Sequence, residues 1–287
     1  MTLVACLAMT AFASAPVRGK DACSVVRAPD ARAIAVPFSV VDGRIYVQAK
    51  VNGKGPFRFA VDTGASGVGR LDASLLPKLG LESSGTAATS DGVATAEVET
   101  TAVESLSVGS IERKDLSLIT RDYRKHVSGE AAFDGILGRA FFADGLLVID
   151  YGARKLSFSK SSGLSRNDKG VLPYERAFRV PITIGDKSFE ANLDSGANVA
   201  MVVPARLWPE VSGSSLEKAA SGQLTNGKIE TSKGVVPGPV KAGAMRWFDV
   251  DAKVSERFPE ILIGAHALSS SVLAIDQRSR SIALCPN

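Results

Sequence analysis

The stretch FRFAVDTGASG, residues 57–67, decides how this sequence is interpreted. An apolar run typical of a buried strand ends in an aspartate, a hydroxyl residue and a glycine. A second version, FEANLDSGANV, covers residues 189–199. One Asp-x-Gly sequence would be an ordinary turn at the end of a strand. Two copies in matching surroundings indicate that Asp62 and Asp194 share a role.

The similarity between the two halves extends beyond these aspartates. The segment DGILGRAFFADGLLVIDYGARKLSF in the first half aligns with EILIGAHALSSSVLAIDQRSRSIAL in the second. Within this alignment, Gly138 follows Asp62 at nearly the same spacing as Gly264 follows Asp194. Landmarks that recur in order at a similar spacing indicate an internal repeat. We therefore expect two lobes, at residues 34–160 and 170–285, joined by a polar linker at 161–169.

The local pattern is mostly that of β-structure. Residues 33–51 alternate β-branched and polar side chains around Asp42-Gly43, which predicts a tight hairpin. Only short helices are expected, at residues 72–80 and 204–211, with weaker signals at 138–145 and 264–270. These patterns predict an all-β protein with two similar lobes and few helices.

An apolar strand ending in Asp-Thr/Ser-Gly-Ala, followed later by two apolar residues and a glycine, resembles the pepsin/retropepsin superfamily of aspartic proteases. Both motifs occur in both lobes, so the resemblance covers almost all of the chain after its N-terminal segment. It implies β-barrel-like lobes whose aspartate loops meet at the lobe interface. It also implies that residues 136–138 and 262–264 pack beside those loops as supports.

The resemblance assigns catalysis to Asp62 and Asp194. Two carboxylates a few ångström apart cannot both ionise easily, so they share one proton, and the aspartic proteases are the standard example of this effect. One carboxylate then acts as a base on water and the other as an acid. The implied function is an endopeptidase acting on peptide or protein substrates, and the alternative is a scaffold that binds peptides without cleaving them.

Four residues beside the aspartates have predicted supporting roles. The hydroxyls of Thr63 and Ser195 can bond across the interface and hold the two loops together. Glycines at 64 and 196 allow a tight turn that brings a backbone N–H to the carboxylate.

The resemblance also implies a flap that covers the site. Residues Ser90, Asp91 and Gly92 would form the tip of a hairpin flap, with an ordinary surface turn as the alternative. Pepsin-like enzymes carry a tyrosine there, and residues 89–98 contain none. The equivalent tip in the second lobe would be Asn226-Gly227.

The residues that follow the two glycines suggest a pH range. Ala65 and Ala197 stand where pepsin-like enzymes often have a hydroxyl that donates to the ionised aspartate. Loss of such a donor raises the pKa of the carboxyl pair. We therefore predict activity at weakly acid to near-neutral pH.

The N-terminal segment predicts export. An apolar run leads into Ala13-Ser14-Ala15, a cleavage pattern that makes residues 1–15 a signal peptide, although a buried first strand is the alternative. The protein would then be periplasmic or secreted, or membrane-attached if Cys6 were lipidated. Cys23 and Cys285 would remain as a disulfide or as two free thiols.

Other functional classes have little support. The 287 residues carry a formal charge of +4, and their basic residues are scattered, which disfavours nucleic-acid binding. The two histidines, His126 and His266, and the dispersed cysteines predict neither a zinc site nor a serine-type triad. No metal or organic cofactor is expected. One chain supplies both aspartates, so a monomer is predicted.

Overall fold

The computed structural model describes residues 19–28, 30–125, 127–224 and 226–287. The predicted signal peptide, Cys6 and His126 therefore lie outside the described residues. In the described residues of the first half of the chain, the strands are β1 (Ile34–Pro37), β2 (Ser39–Val41), β3 (Arg44–Val51), β4 (Lys54–Val61), β5 (Gly69–Asp72), β6 (Ser83–Ser90), β7 (Thr95–Val108), β8 (Ile111–Arg121), β9 (Gly135–Leu137), β10 (Leu146–Asp150) and β11 (Lys155–Ser159).

The second half continues with the same type of element. Its strands are β12 (Leu172–Pro173), β13 (Arg179–Ile184), β14 (Lys187–Asp194), β15 (Met201–Pro204), β16 (Glu217–Lys218), β17 (Gly222–Leu224), β18 (Gly227–Ile229), β19 (Ser232–Val236), β20 (Val240–Ala242), β21 (Met245–Trp247), β22 (Val250–Ser255), β23 (Ile261–Gly264), β24 (Ser271–Asp276) and β25 (Ser281–Pro286).

Helices in the described residues are short, as predicted. The α-helices are α1 (Ala22–Arg27), α2 (Leu75–Leu79), α3 (Trp208–Val211) and α4 (Ala265–Leu268). Single 3-10 turns cover Gly129–Ala131, Arg139–Phe142 and Ala205–Leu207. The predicted helix at 138–145 is thus a 3-10 turn, and α1 was not foreseen. No helix of the described ranges is long and apolar enough to cross a membrane. The predicted all-β class is confirmed.

The first lobe is an eight-stranded sheet in the order β2-β3-β4-β9-β5-β8-β7-β6, and an additional pairing of β3 with β7 closes it towards a barrel. The turn between β2 and β3 is the predicted hairpin. Its two residues, Asp42 and Gly43, have φ angles of 50° and 77°. Positive φ at both central positions matches the twist of a tight β-hairpin, which explains the Asp-Gly sequence.

The second lobe is a nine-stranded sheet in the order β16-β19-β22-β15-β23-β14-β13-β20-β21, with β17 and β18 forming a separate hairpin. Its centre repeats the first lobe. In the first lobe β4 is parallel to β9, β9 is antiparallel to β5, and β5 is parallel to β8. In the second lobe β14, β23, β15 and β22 pair in the same directions. The internal repeat is therefore structural.

A third sheet, here called the interlobe sheet, joins the two lobes in the order β1-β11-β10-β24-β25-β12. At its centre β10 of the first half pairs antiparallel with β24 of the second half, and every residue of β24 is buried. The predicted boundaries at 34–160 and 170–285 therefore each include strands of a shared sheet. This sheet was not predicted, because sequence periodicity does not show which strands pair.

Helix α1 and the predicted linker pack onto the interlobe sheet. Cys23, in α1, forms a disulfide with Cys285, in β25, with the two Cα atoms 5.7 Å apart. The segment 161–169 is irregular, but Leu164 is buried and its N–H donates to the carboxylate of Asp276 over 3.1 Å. This segment is therefore anchored against the lobes.

Candidate active site

Asp62 and Asp194 lie at equivalent ends of equivalent strands. Asp62 directly follows β4, and its N–H donates to the carbonyl of Leu137 in the parallel strand β9 over 3.0 Å. Asp194 is the last residue of β14 and pairs in register with Gly264 of β23. Each aspartate is half-buried. The internal repeat thus gives the two carboxylates the same support.

Backbone N–H groups hold one oxygen of each carboxylate. The N–H of Ala65 donates to Oδ1 of Asp62 over 2.9 Å, and the N–H of Gly196 donates to Oδ1 of Asp194 over 2.8 Å. The donor is three residues after the aspartate in one lobe and two residues after it in the other. These bonds restrict how each side chain can rotate.

Each loop glycine lies against the carboxylate of the opposite lobe. A Cβ added to Gly64 would be 2.6 Å from Cγ of Asp194, and one added to Gly196 would be 2.6 Å from Oδ1 of Asp62. Real Cβ atoms do not approach so closely. Neither glycine has a left-handed φ. Close approach of the opposite carboxylate is therefore a further requirement for glycine at both positions, in addition to the predicted turn.

The hydroxyls of Thr63 and Ser195 form four hydrogen bonds across the interface. The N–H of Thr63 donates to Oγ of Ser195 over 3.1 Å, and the N–H of Ser195 donates to Oγ1 of Thr63 over 3.0 Å. The same hydroxyls donate to the carbonyls of Leu193 and Val61 over 3.0 and 2.8 Å. Both side chains are at most 2% exposed. This set, here called the cross-lobe grip, fixes the register of the two loops.

The apolar-apolar-Gly segments support the loops from behind. The N–H of Gly138 donates to the carbonyl of Val68 over 3.0 Å, and the N–H of Gly264 donates to that of Ala200 over 2.9 Å. A Cβ at Gly138 would be 2.5 Å from the carbonyl oxygen of Gly67, and a Cβ at Gly264 would likewise collide with loop carbonyls. Only glycine fits at either position.

Comparison with known families gives the same result as this geometry. The aspartyl protease family model Asp_protease_2 matches residues 47–141 and, a second time, residues 180–267. The chain belongs to the aspartyl protease family. The two matches fall on the two lobes, as expected for a retropepsin-like, bilobal architecture. No curated protein matched the chain.

The surroundings of the aspartate pair in this chain raise the pKa of Asp194. Burial is the largest cause, and the negative charge of Asp62 adds to it, while the hydrogen bond from Gly196 acts in the opposite direction. The missing hydroxyl donors at Ala65 and Ala197 are the cause of a raised pKa that the sequence predicts. In the structure burial and the paired charge are the stronger causes.

Two arginines that were not predicted as site residues form hydrogen bonds with the loop glycines. Nε of Arg44 donates to the carbonyl of Gly196 over 2.6 Å, and Nη1 of Arg139 donates to that of Gly64 over 3.4 Å. Arg44 also donates to Oδ1 of Asn198 over 3.0 Å. Arg44 is the first residue after a hairpin turn, and no local pattern indicates that its side chain crosses to the other lobe.

The network around Arg44 also includes one of the two histidines. The amide of Asn198 donates to Oδ2 of Asp42 over 2.6 Å, and Nε2 of His266 lies 2.9 Å from Oδ1 of the same carboxylate. These contacts, with Asn198 the largest cause, lower the pKa of Asp42. His266 is thereby bound to a loop carboxylate on the edge of the interface.

Asp62 lines a cleft of about 680 Å³ between the lobes. One wall carries the apolar side chains of Val127, Phe133 and Ile136 from the first lobe, and the facing wall carries Val199 and Leu224. This volume is in the range of binding sites that enclose much of a ligand.

Two hairpin tips meet over this cleft. The β6–β7 tip contains Asp91, whose carboxylate accepts a hydrogen bond from the N–H of Asn226, at the β17–β18 tip, over 2.6 Å. The side-chain amide of Asn226 also donates to the carbonyls of Thr89 and Ala94. Val93 packs into an apolar cluster with Leu224 of the second lobe. The β6–β7 hairpin is thus tied to the opposite lobe, a contact that an ordinary surface turn does not make.

The predicted site residues fall into one place. Asp62, Thr63, Gly64, Ser195, Gly196 and Asp194 meet at the interface, and Ser90, Asp91 and Gly92 lie at the hairpin tip. Asp150 and Asp276 occupy equivalent positions in the two halves of the repeat, but they form contacts elsewhere. Oδ1 of Asp150 accepts a hydrogen bond from the N–H of Ala153, and Asp276 forms an ion pair with Arg278. In the described part of the chain, no group of three or more His, Cys, Asp or Glu side chains is placed to hold a metal ion.

Proposed function

We propose that this protein is an endopeptidase that hydrolyses peptide bonds with a water molecule activated between Asp62 and Asp194. The main support is the reciprocal packing of the two loops, in which each glycine contacts the carboxylate of the other lobe. This packing gives the pair the closeness that proton sharing requires.

In the proposed mechanism, the ionised carboxylate takes a proton from the water molecule while the oxygen of that water attacks the peptide carbonyl carbon. The protonated carboxyl donates to the carbonyl oxygen, giving a neutral tetrahedral diol. The C–N bond then breaks. As it breaks, a proton passes from the aspartate pair to the leaving nitrogen, and a hydroxyl of the diol returns its proton to the pair. The products are a new carboxyl and a new amine, and one water has been consumed.

The neighbouring groups would keep this pair ready for reaction. The cross-lobe grip holds the loops in register, and the N–H groups of Ala65 and Gly196 hold one oxygen of each carboxylate. Because these groups are already in place, little reorganisation is needed in the transition state. The substrate would lie extended in the cleft beneath the two hairpin tips, which would open as flaps to admit it.

We further propose that the protein works outside the cytoplasm, in the periplasm or as a secreted enzyme, with lipidation at Cys6 as the route to membrane attachment. The disulfide between Cys23 and Cys285 supports an oxidising compartment. A monomer suffices for the proposed chemistry because one chain supplies both aspartates. The proposed steps use no metal, organic cofactor or nucleic acid.

The experiment that tests this function is cleavage of a denatured protein and of a peptide library between pH 4 and pH 8. We expect Asp62→Asn and Asp194→Asn each to lower kcat/KM by about 10³-fold, because each removes half of an acid–base pair. Asp186→Asn, an exposed aspartate at the β13–β14 turn, is the matched control.

The alternative function, a peptide-binding scaffold, makes a different prediction for the same samples. A scaffold would bind peptides and give no products with the wild-type protein at any pH. Equal cleavage by the wild type and both active-site variants would also contradict the proposal, since it would indicate another site or a contaminant.

A further inference from the structure

The cleft carries more basic than acidic side chains. Its acidic residues are Asp62, which belongs to the aspartate pair, and Asp122. The carboxylate of Asp122 accepts the N–H of Lys125 in its own loop over 3.0 Å. The cations that line the cleft are Arg44, Arg121, Lys125 and Lys253.

These cations lie on both sides of the cleft. Arg121 ends β8 in the first lobe, and its Nη2 donates to Oδ1 of Asn226 over 2.6 Å, which places the guanidinium below the hairpin tips. Lys125 follows in the next loop, while Lys253 lies on β22 of the second lobe. A bound peptide would therefore pass between positive groups from both lobes.

Among the described residues, no carboxylate forms an ion pair with either of these two lysines. The lysines that form ion pairs in the described part of the chain are Lys114, Lys160, Lys187 and Lys233. Lys125 and Lys253 are not among them. The nearby Arg124, by contrast, is paired with Asp72 and Asp134.

A further cation lies behind the cleft wall. Arg70, on β5, is 6% exposed and takes part in no ion pair among the described residues. It lies beside Tyr123, a cleft residue whose phenol pKa is raised chiefly by burial and lowered in part by the charge of Arg70. Positive charge buried beside a cleft is screened less by salt than charge on an open surface.

We propose that the cleft selects peptide segments that carry aspartate or glutamate close to an apolar residue. The apolar walls would hold the side chain next to the scissile bond, and the cations of the two lobes would hold acidic side chains on either side. This inference rests on the proposed function for turnover, but the charge preference concerns binding and can be measured without it.

The first test compares two fluorogenic peptides with Leu-Phe at the centre, flanked by glutamates in one and by glutamines in the other. An exposed ion pair is worth a few-fold in binding, so several cations acting together should give a ratio of kcat/KM of about 10 in favour of glutamate at low salt. The ratio should fall towards 1 at about 0.5 M salt because the charges are screened.

Substitutions test which cations cause the preference for glutamate over glutamine. The double variant Lys125→Gln/Lys253→Gln should lower the glutamate-to-glutamine ratio about fivefold, and Lys253→Glu should lower it further. Lys50→Gln, an exposed lysine on β3 away from the cleft, is the matched control and should keep the wild-type ratio. A wild-type ratio near 1, or a ratio unchanged in both cleft variants, would overturn the proposal.

A binding measurement separates this inference from the proposed function. Fluorescence anisotropy with the Asp194→Asn variant and the same two peptides, each labelled, reports affinity in the absence of turnover. Tighter binding of the glutamate peptide supports the inference even if no wild-type cleavage is found. Equal binding of both peptides overturns it, even if the wild-type protein cleaves them.

Discussion

Replacing Thr63 with valine should show how much the cross-lobe grip contributes to stability. Valine keeps the branched shape of threonine but removes Oγ1, which accepts from the N–H of Ser195 and donates to the carbonyl of Leu193, each over 3.0 Å. All three residues are at most 2% exposed, so water cannot easily replace the lost partner. Each buried group left unpaired costs about 1–3 kcal/mol. We expect a loss of about 2–6 kcal/mol, and a fall in Tm of about 5–20 °C.

The assay is thermal unfolding of the wild-type and variant proteins by circular dichroism and calorimetry. Thr183→Val, on β13, is the matched control, because the hydroxyl of Thr183 makes no hydrogen bond to another described residue. If Thr63→Val melted within about 2 °C of the wild type, the two buried groups would have found other partners, and the structural role given to the grip would be refuted.

Three further substitutions test other parts of the structure. Gly196→Ala places a methyl group against the carboxylate of Asp62, and a shift of about 1 Å should lower kcat/KM about 100-fold; wild-type activity would contradict the close approach. Asn226→Ala removes the side-chain bonds that join the two hairpin tips, and should speed proteolytic nicking of the first tip; unchanged nicking would contradict the contact. The double variant Cys23→Ser/Cys285→Ser removes a disulfide between residues with a sequence separation of 262. Its free energy of unfolding, measured by chemical denaturation, should be lower than that of the wild type by up to about 5 kcal/mol. Equal denaturation midpoints for the variant and the wild type would contradict this expectation.

Features that depend on local sequence were predicted well. The repeated Asp-Thr/Ser-Gly segments pointed to the two loops that meet at the interface, and the family match confirms the resemblance on which that interpretation rested. The Asp42-Gly43 pair predicted its hairpin because few residue pairs accept positive φ at both positions. At this hairpin the backbone requirement limits the choice of residues within a few positions.

Features that depend on long-range pairing were missed. The interlobe sheet brings β10 beside β24, and a strand's own sequence does not specify its partner. Arg44 reaches Gly196 across the interface, and no local pattern indicates this contact. The requirement for glycine at 64 and 196 also comes from a carboxylate that is distant in sequence, which no local pattern indicates.

The proton-sharing pair is tested most directly by the pH dependence of kcat/KM on one neutral peptide. Burial and the charge of Asp62 raise the pKa of Asp194 to about 7, so the pair keeps its shared proton below that pH and loses it above. We expect kcat/KM to be highest on the weakly acid side of pH 7 and to fall as the pH rises through this value. A rate that continued to rise between pH 7 and pH 9, or one that peaked below about pH 3, would contradict a shared proton held at this raised pKa.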